Sequence, residues 1–142
     1  MPTPVILCAH GELSAALLDS VQMVYGATGP IYPLAFRQGQ NAEDIVRAMQ
    51  RCMAQLPPQP WLIAVDLFGG SPYNAAAALA QQDPALEVVT GISLPLCLEI
   101  ADNQHDMSAT QLAAHLLEVG KACVCSLRAL QQNLEQEEAD FL

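Results

Sequence analysis

Two stretches of the chain are apolar without a break. Val5-Ile6-Leu7-Cys8 runs into His10-Gly11, and Trp61-Leu62-Ile63-Ala64-Val65 runs into Asp66. Runs of this length with no polar alternation mark strands buried on both faces, as in a parallel sheet. Elsewhere the period is helical. Leu13, Ala16, Leu17, Val21 and Val24 form one stripe that stops at Gly26. Ile45, Met49, Cys52 and Leu56 form a second, with Asn41 as cap, Asp44 at the N3 position and Pro57-Pro58 as terminator. Ile31 to Phe36 is strand-like, but Pro30 and Pro33 flank and interrupt it, which assigns it to an edge of the sheet.

After Asp66, the segment Leu67-Phe68-Gly69-Gly70-Ser71-Pro72 turns into an alanine-rich helix, with Ser71 suited to its N-cap and Pro72 to its first position. Leu86 to Thr90 predicts a fourth strand and Ser93 to Asp102 a helix. Ser108 with Gln111 is a capping box ahead of Leu112, Leu116 and Val119. Ala122 to Leu127 suits a last strand or a helix almost equally. From Gln131 the chain is acidic, without Lys or Arg, and reads as a frayed helix or disorder. The expected organisation is one domain over residues 1–130 and an acidic tail over 131–142.

Strand and helix alternate four times, which predicts an α/β fold: a three-layer open sheet of parallel strands. Right-handed crossovers with strand 2 at an edge give the order 2-1-3-4. Connections diverge between strands 1 and 3, so the switch point lies at their carboxyl ends, where His10 and Asp66 stand.

Composition narrows the partners. The 142 residues hold 5 Lys+Arg against 15 Asp+Glu, a formal net charge of -10, which argues against binding nucleic acid. Hydrophobic residues make 52% of the chain and charged residues 14%, so a second copy or partner is expected to cover apolar surface. No signal peptide or membrane span is read, and five cysteines, odd in number, fit buried thiols in a reducing cytoplasm.

A carboxylate at Asp66 that accepts the Nδ1 proton of His10 would leave Nε2 unprotonated and nucleophilic. Gly69, Gly70 and Ser71 would supply free amides at a helix N-terminus, which favours an anion. The combination suits a phosphoryl group held on His10. It calls for no cofactor and no metal. A hydrolase with His10–Asp66 as general base is the alternative, though it lacks a serine or cysteine at a strand-to-helix elbow. His105, in a polar loop, and His115, on the last capped helix, receive no role.

The stretch Val65-Asp66-Leu67-Phe68-Gly69-Gly70-Ser71-Pro72-Tyr73-Asn74-Ala75, with His10-Gly11 and Thr90-Gly91-Ile92-Ser93-Leu94-Pro95-Leu96-Cys97-Leu98-Glu99, resembles the mannose-family IIA component of the bacterial phosphoenolpyruvate-dependent sugar phosphotransferase system. The likeness covers roughly residues 4 to 128. It implies that His10 accepts phosphate from HPr and passes it to a IIB component, which serves membrane IIC and IID partners. It also implies that Asp66 orients His10 and that Ser71 provides a hydroxyl beside it. A cytoplasmic homodimer follows, peripheral to the membrane transporter, with an antiparallel strand at Ala122 to Leu127 exchanged between subunits. A free-standing IIA subunit is expected. A related group with the same fold donates phosphate to dihydroxyacetone kinase and is a further alternative.

Overall fold

The computed structural model describes residues 1–141, and side chains through Asp140. Strands β1 (Val5–His10), β2 (Ile31–Phe36), β3 (Leu62–Val65) and β4 (Glu87–Val89) form an all-parallel sheet in the order β2-β1-β3-β4. Helices α1 (Leu13–Val24), α2 (Ala42–Met53), α3 (Ser71–Gln82), α4 (Leu94–Asn103) and α5 (Ala109–Gly120) cover its two faces.

Strand alternation divides the core. Val5, Leu7, Leu62 and Ala64 pack with Val21 of α1, Ile100 of α4 and Leu112 of α5. Ile6, Cys8, Ile63 and Val65 pack with Met49 of α2 and Ala75, Ala76 and Leu79 of α3. Both faces of β1 and β3 are therefore dry, which is why their sequences carry no polar alternation. Strand β2 lies at the edge, where Pro33 needs no ladder donor on its outer side.

The expected helix ends are present at two places: Asn41 with Asp44, and Ser108 with Gln111, each form a reciprocal capping box. Ser71 is a correction. Gly70 is the N-cap of α3, its backbone extended at φ -79 and ψ 174 and its carbonyl accepting the Asn74 N–H at 2.9 Å, so Ser71 begins the helix and Pro72 follows. Proline is equally tolerated there because first-turn amides have no intrahelical acceptor.

At the opposite end of the sheet, Gln104 is wholly buried. Its Nε2 donates to the carbonyls of Thr3 at 3.0 Å and Pro30 at 3.2 Å, tying the starts of β1 and β2 to the end of α4. Cys8, Cys52 and Cys97 are buried, Cys123 is half-buried and Cys125 exposed.

Residues 122–126 form no strand in the single chain. The tail is helical instead: α6 (Leu127–Phe141) begins before residue 130 and exposes Leu127, Leu130 and Leu134. Among the described residues, no helix is long and apolar enough to cross a membrane.

Candidate functional site

The carboxyl ends of β1 and β3 meet as the topology requires. Cys8 is level with Val65, so the chain leaves β3 one residue later and sets Asp66 beside His10, which closes β1. Asp66 is bound to this position by its acceptors. Its Oδ2 takes the backbone N–H of His10 at 3.1 Å and stands 2.9 Å from the His10 Nδ1, while Oδ1 takes the Leu67 N–H at 3.0 Å. Burial raises the Asp66 pKa, but hydrogen bonds from the His10 amide and ring, with its own backbone contact, outweigh this and hold it below the usual carboxylate value.

The sign of that shift fixes two things. A depressed pKa makes Asp66 stabilising above the ordinary carboxylate pKa, a contribution lost only as pH falls through the lowered value. At neutral pH the group is a carboxylate, an acceptor alone, so the Nδ1 of His10 is the donor. Nε2 takes no part in that contact. The imidazole is 44% exposed while Asp66 is 10% exposed, so the ring is open to solvent and the carboxylate beneath it is not.

The ring is also wedged. Phe36, opposite His10 on β2, meets it edge-on with centroids 5.3 Å apart. On the other side it rides over Gly70, where a Cβ would stand 3.1 Å from Cε1 and 3.7 Å from Nε2. A side chain at 70 would crowd the ring, whereas at 69 glycine is favoured by a φ of 81. Gly70, the N-cap of α3, thus stands beside the Cε1–Nε2 side of the His10 ring. Ser71 is half-buried at that terminus. His105 is an exposed loop residue, and His115 lies on α5 with its Nε2 2.9 Å from Glu99; neither joins the site.

Two neighbours escape the sequence reading. Arg37 and Glu12 form an ion pair across the sheet end, and Arg37 lines the same groove as His10, Gly11, Phe36 and Gln38, about 420 Å³ in volume. The signal for them lies in strand register: once Phe36 is opposite His10, residue 37 must follow beside Gly11. Leu67 and Phe68, 56% and 78% exposed, add an apolar rim on the β3 side. Cys8 does not compete as a nucleophile. Its thiol faces α2 and α3, and burial, then the Asp66 charge, pushes its pKa up to about 12. Among the described residues no three His, Cys, Asp or Glu side chains group to hold a metal ion.

The family model described as PTS system fructose IIA component matches residues 4–117. The sorbose-specific EIIA component of the phosphotransferase system from Klebsiella pneumoniae is 45% identical, over 93% of this chain and 96% of its own length. The sorbose-specific EIIA component from Lacticaseibacillus casei is 31% identical, over 96% of this chain and 99% of its own. Among solved structures, a mannose/sorbose-specific IIA subunit from Enterococcus faecalis superposes with a TM-score of 0.82 at 26% identity, covering 89% of this chain and 96% of that one.

Nitrogen NMR of the imidazole in alkaline solution tests the orientation. The unmodified protein is expected to show His10 protonated at Nδ1 and bare at Nε2. In Asp66→Asn the amide can donate to the ring, so the opposite tautomer should dominate. Identical tautomer ratios in the two proteins would remove Asp66 as the orienting group.

Proposed function

We propose, from the premise that this chain belongs to the fructose/mannose/sorbose IIA family of the sugar phosphotransferase system, that His10 is its phosphoryl acceptor. The chain is a phosphotransferase component of a sugar uptake system. HPr is its donor and a IIB component its acceptor. In the proposed step the Nε2 lone pair of His10 attacks phosphorus, and the phosphorus–donor bond breaks with its electron pair returning to HPr. The Nδ1 proton stays where it is. The new N–P bond leaves positive charge on the ring, which the Asp66 carboxylate offsets, and the phosphoryl oxygens gain the amide end of α3 around Gly69, Gly70 and Ser71. Transfer to IIB is the same step run outward.

One observation supports this reading above the rest. The His10 Nδ1 stands 2.9 Å from Asp66, and the imidazole is 44% exposed. A carrier needs a reachable nucleophile with a fixed tautomer, and it needs little else, because tight binding of the phosphoryl group would oppose release. Neither alternative, a donor subunit for dihydroxyacetone kinase or a hydrolase, has comparable support.

The proposal extends to assembly and place. Residues 1–130 form the carrier domain and 131–142 an acidic extension. The chain works in the cytoplasm, beside membrane IIC and IID components reached through IIB. Two chains pair by exchanging Ala122 to Leu127 as an antiparallel strand. Support comes from the sheet, since β4 pairs with β3 alone among the described strands and leaves its outer edge open. Exposed Leu117, Val124 and Leu127 provide apolar surface for such an interface.

Incubation with phosphoenolpyruvate, enzyme I and HPr should add one acid-labile, alkali-stable phosphate to the chain and none to a folded His10→Ala variant. Asp66→Asn should transfer roughly 10- to 1000-fold more slowly, and Asp66→Ala less slowly, because alanine removes the orienting group without enforcing the wrong tautomer. Full labelling of His10→Ala would move the acceptor elsewhere. Sedimentation at micromolar concentration should show a dimer, and a chain ending before Lys121 should become monomeric or insoluble; a stable monomer of the intact chain contradicts the exchange.

A further inference from the structure

With five Lys and Arg in the chain, the location of each cation matters. Arg47 pairs with Asp44 and Lys121 with Glu118, each three residues away on its own element. Arg37 is different. Its guanidinium pairs with Glu12, 25 residues distant, across the end of the β1–β2 ladder. It lines the groove that contains His10.

The backbone beneath the pair is braced while the side chains are not. The Gly11 N–H donates to the Phe36 carbonyl at 2.8 Å, extending the ladder one residue past the strands. The Arg37 N–H donates to the Gln40 Oε1 at 2.7 Å, which fixes the start of the loop. Gly11, at φ 61, then turns the chain into α1 and presents Glu12 at its N-cap position. Side chains of Arg37 and Glu12 are 59% and 68% exposed, so their bond is weak and readily exchanged.

We propose that Arg37 is a phosphoryl-binding residue held in reserve by Glu12, and that it changes partner when His10 is phosphorylated. This rests on His10 being the phosphoryl acceptor. A phosphoryl group brings close to two negative charges and three acceptor oxygens into the groove, against one charge on Glu12. The guanidinium can move from carboxylate to phosphoryl oxygens with no covalent bond made or broken and no proton transferred. Glu12 has a second effect, since its carboxylate repels a dianion two residues along the chain. Arg37 bound to Glu12 cancels that repulsion; Arg37 bound to the phosphoryl group adds an attraction. The unphosphorylated site thereby carries no uncompensated cation to trap free inorganic phosphate, and the phosphorylated site gains one.

The equilibrium constant for phosphoryl exchange with HPr tests this, because it depends on the free proteins and not on how they dock. Arg37→Gln should shift it toward phospho-HPr by about three- to tenfold, and Glu12→Gln should shift it the opposite way by about two- to fivefold. In the Arg37→Gln background the Glu12→Gln gain should shrink, since the freed guanidinium is no longer there. Unchanged equilibrium constants in both single variants overturn the proposal. So does an Arg37→Gln variant that is slower in both directions with the constant unaltered, which makes Arg37 a docking contact. If the unmodified chain itself takes no phosphate, the acceptor assignment fails and this inference falls with it, a result distinct from labelled variants with unaltered constants.

Discussion

The side-by-side pairing of β1 and β3 is the constraint from which the rest follows. Both strands are dry on both faces, so neither can sit at an edge, and parallel neighbours require the intervening chain to cross over the sheet. The first crossover places β2 outside β1, and the next returns beyond it to lay β3 against β1's free side. Loops leaving β1 and β3 then part in opposite directions and open a crevice between their carboxyl ends. His10 and Asp66, 56 residues apart in sequence, are brought to a 2.9 Å contact by this arrangement. Their geometry is a by-product of sheet topology, held by a backbone N–H and a ring N–H donated to the same carboxylate oxygen.

The central strands, their order and the His10–Asp66 contact were legible because each depends on a long-range rule with few solutions. Unbroken apolar runs identify buried parallel strands, a proline-interrupted run identifies the edge, and crossover handedness supplies the order. Finer features were not legible to the same degree. Whether Gly70 or Ser71 caps α3 turns on which residue takes the extended backbone, and here it is Gly70. The Arg37–Glu12 pair required the β1–β2 register, which hydrophobic pattern alone does not specify to the residue. In the tail, Leu127, Leu130 and Leu134 keep helical spacing through an otherwise acidic segment, and helix is what forms over Leu127–Phe141. The strand reading of Ala122 to Leu127 is not realised in the single chain, where residues 122–126 are irregular and Leu127 begins α6.

The site is sparing with charge. Around His10 stand the Asp66 carboxylate, the start of α3 at Gly70, and the Arg37–Glu12 pair. Each added fixed cation would stabilise the phosphorylated form and slow its release. The lowered pKa of Asp66 keeps it an acceptor at neutral pH, facing the Nδ1 of His10. The ring is packed edge-on against Phe36 and lies close over Gly70.

The central claim is therefore about a single atom, the Nε2 of His10. It is tested most directly by phosphorus–nitrogen coupling in the phosphorylated protein with labelled histidine. The account predicts one-bond coupling of phosphorus to the Nε2 of His10, with Nδ1 still protonated beside Asp66. Coupling to Nδ1 of that ring, or to a nitrogen of His105 or His115, would contradict it.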